Sequence, residues 1–232
     1  MQKKGSLFVI DGADGSGKAT QTKLLVEHLQ REGYKVETFD FPRYKDNFFG
    51  AFIGDCIAGK HGDFVHLDPY IASSLYAADR METRPHIEKA LQQGKVVVLD
   101  RYVSSNQLHQ SGKVKNSRER RKFLEWLDRM EHEIFGLPRP EAIFYLDVPQ
   151  WVSARLLKEQ MARDKKVYLK KGGKDTVEED AAYLAHARES ALKLLKEQKN
   201  WLKIVCVTKK GELLPKEAIH EMLWKKVNAK LV

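Results

Sequence analysis

Short apolar runs recur along the chain at residues 7–10, 96–99, 142–146 and 204–207, with a weaker one at 35–39. None alternates strictly with polar residues, so each is predicted to be a strand buried on both faces of a parallel sheet. Longer stretches with helical spacing separate them. Residues 20–32 bring Leu24, Leu25, Val26 and Leu29 near one another and stop at Gly33, a residue suited to the left-handed turn that ends a helix. Asp68 and Pro69 open another helix as N-cap and first helical residue. It runs through Tyr76 and Arg80 to Gln93 and Gly94, with Pro85 predicted to kink or break it. Further helices are predicted over 117–134, 150–161, 177–198 and 215–227. Strand alternating with helix implies right-handed crossovers, a parallel sheet covered on both sides, and ligands at the carboxyl ends of the strands. With no internal repeat and no linker rich in Pro, Gly or Ser, residues 1–232 read as a single α/β domain.

Composition narrows this only a little. Forty-one Lys and Arg against 32 Asp and Glu leave a net charge of +9, which suits anionic ligands without separating a nucleotide from a nucleic acid. Cys56 and Cys206 stand alone, which predicts two ordinary thiols in a reducing compartment and no disulfide. The first six residues lack the apolar core of a signal peptide and no stretch is long enough to span a bilayer, so a cytoplasmic protein without membrane contact is expected. One segment stands apart: residues 163–174, RDKKVYLKKGGK, carry six basic side chains, paired glycines and no apolar face. A solvated surface loop fits it, and so does a mobile lid that closes over a bound nucleotide. Beside a phosphate-binding motif the lid is preferred, over about 163–177.

That motif lies between the first strand and the first helix: Gly12, Ala13, Asp14, Gly15, Ser16, Gly17, Lys18, Ala19, Thr20. Glycines at the ends and in the middle let the backbone curl with its N–H groups inward. The nest they form, continued by the positive end of the next helix, cradles a polyphosphate, and Lys18 adds a charge for the outer phosphates. The usual pattern places Ser or Thr after the lysine to meet Mg²⁺. Here Ala19 stands in that position and Thr20 comes one residue late.

Other polar residues follow strand ends. Asp100, Arg101 and Tyr102, then Ser104, Ser105, Asn106 and Gln110, come after the strand at 96–99. An aspartate there can hold Mg²⁺ directly or through water, and the arginine can grip phosphate oxygens with its planar fork. Phe41, Pro42 and Arg43 follow the second strand. Tyr76 and Arg80 lie four apart on a helix, so an aromatic plane and a guanidinium can face one cavity.

In order and spacing these residues resemble the thymidylate kinase family, of the nucleoside monophosphate kinase group. The resemblance runs from the strand before Gly12 to the terminal helix. It implies a three-layer P-loop NTPase fold with a five-stranded parallel sheet flanked by helices and a mobile lid. It also implies ATP as phosphoryl donor, Mg²⁺, dTMP as acceptor, and a homodimer built from helices. By that resemblance Lys18 and the loop amides hold the ATP phosphates, and Asp14 accepts a hydrogen bond from the acceptor's 3′-hydroxyl. Arg43 and Arg101 bind its monophosphate, and Asp100, with Thr20 nearby, organises Mg²⁺. Tyr76 stacks on thymine while Arg80 reaches O4 and Gln110 the N3 position. Ser105 and Asn106 line the same pocket, and Tyr183 and Glu178 approach the acceptor. The loop carries no arginine, so the lid must supply one: Arg163 first, Arg155 second, with Lys165 and Lys166 as weaker substitutes. His109 stands where the family commonly has an aromatic ring.

Alternatives stay open on sequence alone. Thymine and uracil differ by one methyl group, worth about 1–3 kcal/mol in a pocket, so a kinase of different or relaxed specificity acting on dUMP or dGMP fits the same residues. Ala19 also admits a weakened member of the family. A nucleotide-dependent nucleic-acid-binding protein fits the positive charge, but no interleaved aromatic and basic surface motif supports a nucleic-acid partner.

Overall fold

Leu7 and Val9 point to one side of the central strand β1 (Leu7–Gly12), Phe8 and Ile10 to the other, and all four are buried. Burial on both faces explains why the run is continuous in sequence. The structure, a computed structural model, describes residues 5–163 and 181–231. After β1 come α1 (Lys18–Arg31), β2 (Val36–Asp40), α2 (Phe48–Ile57), α3 (Pro69–Gln92), β3 (Val96–Asp100), α4 (Val103–Gly112) and α5 (Ser117–Asp128). A π-helical turn, Arg129–Ile134, continues α5 and leads to β4 (Ala142–Asp147), α6 (Gln150–Arg163), α7 (Ala181–Glu197), β5 (Trp201–Val205) and α8 (Lys216–Leu231).

The five strands form one parallel sheet in the order β2-β3-β1-β4-β5. Leu25, Leu29, Ile219, Leu223 and Val227 from α1 and α8 cover one face, packing on Phe8, Ile10, Val98 and Phe144. Ile87, Leu108, Ala187 and Ala191 from α3, α4 and α7 cover the other, against Val9, Leu99 and Tyr145. The expected three layers are therefore present. Register brings Ile10 opposite Asp100 and Gly12 opposite Leu146, so the carboxyl ends of β1, β3 and β4 finish together. The strand order reverses beside β1, which is where such sheets open a crevice.

Several boundaries differ from the sequence expectation. Pro85 sits inside an unbroken α3: it is exposed on the helix's outer side, where water can satisfy the carbonyl it leaves without a donor. The predicted 117–134 helix changes to π geometry at Arg129. β5 begins at Trp201, earlier than expected. As the edge strand it is only half buried, and the apolar run straddles its end, with Val207 in a separate antiparallel bridge to Leu213. Helices α2 and α4 were not anticipated. Both cysteines are free and buried, and no helix among the described residues is long and apolar enough to cross a membrane.

Candidate active site

The loop between β1 and α1 is built as its glycines require. Gly15 and Gly17 occupy the left-handed region at φ 76 and 88. A Cβ on Gly12 would sit 2.7 Å from Ser16 Oγ and 3.1 Å from the Leu146 carbonyl, so strand and loop approach one another too closely for a side chain. Lys18 folds over the loop, its ammonium donating to the carbonyls of Gly12 (3.1 Å) and Ala13 (2.9 Å) and lying 3.6 Å from Asp14. Burial, with Arg101 nearby, pulls its pKa below the usual ammonium value. The Ser16 hydroxyl is buried in the loop without a protein partner, as suits a cradle for phosphate oxygens.

Across the crevice, Arg101 follows β3 with a left-handed backbone at φ 65, a conformation that non-glycine residues rarely adopt. Its Nη2 donates to Asp14, its Nη1 lies 3.8 Å from Asp11 and 3.4 Å from His109 Nε2. Burial works against its charge, but Asp14, Asp11 and Asp100 outweigh that and hold the guanidinium firmly protonated. Burial pushes His109 down to about 4, so the ring is neutral and its Nε2 accepts from Arg101. Asp100 is displaced upward, chiefly by burial.

Asp11, directly after the first apolar run and fully buried, organises this corner. Its carboxylate accepts from the Gly12 amide (2.8 Å), Ser104 Oγ (2.5 Å) and Ser105 Oγ (2.8 Å). Ser105 thus ties α4 to β1. Nothing in the sequence pattern had singled out Asp11, because an aspartate at a strand end usually reads as a boundary.

Arg43 stands after β2, its backbone amide on Asp79 (3.1 Å) and its guanidinium on Asp46 (2.7 Å). Asn47 bonds the Asp79 carboxylate and Thr83, each at 2.8 Å, fixing this segment to α3. Tyr76 packs on Phe64. Arg80 is buried in a two-pronged pair with Glu131, which sequence reasoning also missed. Asn106 bonds Glu131 and the Ser73 carbonyl. Gln110 is buried on α4, one turn beyond Asn106.

The remaining expected residues are exposed or lie outside the described residues. Thr20 is exposed on the first turn of α1, as is Ala19. Arg155 is exposed on α6 with Glu159 3.9 Å away. Arg163 closes α6, but its side chain, that of Tyr183, and residues 164–177 with Lys165, Lys166 and the lid lie outside the described residues, as does Glu178.

The thymidylate kinase family model matches residues 10–218. The chain belongs to this family. It is 36% identical over 160 residues to a probable thymidylate kinase of Pyrococcus abyssi, covering 67% of this chain and 71% of that one. It is 32% identical over 135 residues to thymidylate kinase of Mycobacterium tuberculosis, covering 58% of this chain and 62% of the relative, under two thirds of that protein's length. The solved thymidylate kinase of Candida albicans shares the fold at a TM-score of 0.70 and 20% identity, covering 98% of this chain and 92% of that one. Fold and family therefore agree with the P-loop architecture expected from the glycine-rich loop.

Proposed function

We propose that the chain transfers the γ-phosphoryl group of ATP to dTMP, giving dTDP and ADP in nucleotide biosynthesis. The observation that carries this reading is the bridge between Arg101 and Asp14. It joins the phosphate-binding loop to an arginine at the end of β3, a second phosphate-gripping group that an enzyme that only hydrolysed ATP would not need. Lys18 exchanges its two loop carbonyls for the donor's phosphate oxygens. Arg101, and Arg43 on release from its half-exposed pair with Asp46, hold the acceptor's phosphate. Asp14 meets the 3′-hydroxyl. Tyr76, Arg80 and Gln110 receive the base.

The acceptor oxygen is already anionic, so no strong base is required. Alignment and charge neutralisation supply the rate. Arg163, or secondarily Arg155, completes the charge set when the lid at about 163–177 closes, with Tyr183 on the acceptor side.

The donor set fits Mg²⁺, which takes one or two carboxylates and fills its shell with water and phosphate oxygens. Asp100 offers a carboxylate beside Lys18, and no three His, Cys, Asp or Glu side chains converge into an all-protein cage among the described residues. Bound there with Asp100, the ion would neutralise charge on the transferred group. The exposed Thr20 is the weaker candidate ligand. We further read the chain as one cytoplasmic domain acting as a homodimer.

The test is ADP release from ATP with dTMP, dUMP, dCMP or dGMP, with and without Mg²⁺. The expected result is Mg²⁺-dependent turnover fastest on dTMP. Faster turnover of dGMP than dTMP would overturn the pocket assignment.

A further inference from the structure

We propose that Glu131 is the positioning residue that sets base discrimination, by holding the Arg80 guanidinium so that only its far edge is left to the ligand. The inference rests on the dTMP reading above and deepens it.

Arg80 is 2% exposed and Glu131 0%. Nε of Arg80 donates to Oε2 at 2.6 Å and Nη2 to Oε1 at 2.8 Å, so the inner edge of the fork is fully engaged. The same Oε1 accepts from Asn106 Nδ2 at 2.9 Å, and Asn106 is itself fixed on the Ser73 carbonyl at 3.1 Å. Three elements, α3, α4 and the turn after α5, thus converge on one carboxylate. The turn is π-helical. Its wider winding, closed by the Leu137 amide on the Glu131 carbonyl at 2.9 Å, sets where that residue's side chain emerges.

Stability does not account for such a pair. Apolar residues of similar volume often replace a buried ion pair without loss, because both charges must be stripped of water to form it. The pair supplies orientation and charge balance. A free guanidinium would carry five mobile donors and a full charge into the pocket, where it would compete with Arg43 and Arg101 for the acceptor's phosphate. Compensated by Glu131, Arg80 becomes a fixed donor on its Nη1 side. A carbonyl oxygen at ring position 4 meets that donor, whereas the amino group of cytosine sets donor against donor and loses the bond.

The experiment is steady-state kinetics of the full chain on dTMP, dUMP and dCMP, with thermal midpoints, for wild type, Glu131→Gln, Glu131→Asp and the double variant Arg80→Met/Glu131→Met. In Glu131→Gln the dTMP to dCMP ratio of kcat/KM is expected to fall by about tenfold or more, through the KM for dTMP, with the KM for ATP unchanged. Glu131→Asp, which keeps the charge on a shorter arm, should retain part of the ratio. The double variant should lose the ratio while keeping its thermal midpoint. A folded Glu131→Gln protein with the wild-type ratio would overturn the proposal, as would an equal kcat loss on all three acceptors. If Glu131→Gln does not fold, a wild-type ratio in either of the other variants overturns it equally. Absence of wild-type turnover on dTMP would remove the functional reading and this inference together, whereas unchanged ratios in active variants remove the inference alone.

Discussion

Arg101, at the end of β3, reaches across the crevice to bond Asp14 in the phosphate loop, and does so from a left-handed backbone. That conformation costs a non-glycine residue about 1–2 kcal/mol, which the surrounding carboxylates offset. Asp14 meets Nη2 of the planar fork, while Asp11 and His109 approach Nη1. Lysine has the charge but not the fork. Arg101→Lys should therefore fold with a thermal midpoint near wild type and lose about tenfold to a hundredfold in kcat/KM for the monophosphate. Kinetics that match wild type would show that charge alone suffices.

Much of the architecture was legible because burial on both faces writes strands as unbroken apolar runs. Where burial is uneven the signal fails, as at β5, whose Lys203 and Val205 face outward. Helix α4, VSSNQLHQSG, has poor helical propensity and is held by buried polar contacts such as Ser111 to Ser190 at 2.7 Å. Helix α2 carries two glycines and apolar residues all round, so no face announces it. In the site, the loop could be read because its geometry is local. Glu131 could not, since it meets Arg80 across 51 residues and only after the π turn has aimed it.

Two glycines of the loop separate steric crowding from backbone strain. Gly17, at φ 88, has nothing within 4 Å of an added Cβ, so Gly17→Ala should cost only the strain of about 1–2 kcal/mol. Gly12→Ala sets a methyl against Ser16 Oγ and the β4 backbone, and pushing strands apart adds about 1–3 kcal/mol. Urea midpoints should rank wild type above Gly17→Ala above Gly12→Ala. The reverse order for the two variants would contradict the packing at Gly12.

Gly50 fixes the Arg43 segment from the other side. A Cβ there would lie 2.1 Å from the Arg43 carbonyl oxygen and 2.9 Å from Asp79 Oδ1, so α2 rests directly on this backbone. Gly50→Ala must displace Arg43. The expected outcome is a raised KM for dTMP with the KM for ATP unchanged, and a stability loss of about 1–3 kcal/mol. A KM for dTMP equal to wild type would show that Arg43 does not depend on this mount.

His109 gives the acid limb of the stability profile a definite sign. Burial first, and Arg101 second, push its folded value down to about 4, against roughly 6.5 in an unfolded chain. Above the unfolded value both states are neutral and the full stability is present. As pH falls from roughly 6.5 toward about 4 the unfolded chain takes up the proton first, so stability drops through that window and the loss levels off below it. At pH 5 this one group should account for on the order of 1–2 kcal/mol. His132 and His220 are also displaced downward by burial and act in the same direction, so the whole-protein loss belongs to several rings together. Comparing wild type with His109→Gln isolates the one, because the amide oxygen can still accept from Arg101 but does not titrate. Denaturant midpoints at pH 7 and pH 5 should draw together in the variant. An identical acid shift in both proteins would mean that His109 takes up its proton as readily in the folded protein as in the unfolded chain, so that burial beside Arg101 does not hold the ring neutral.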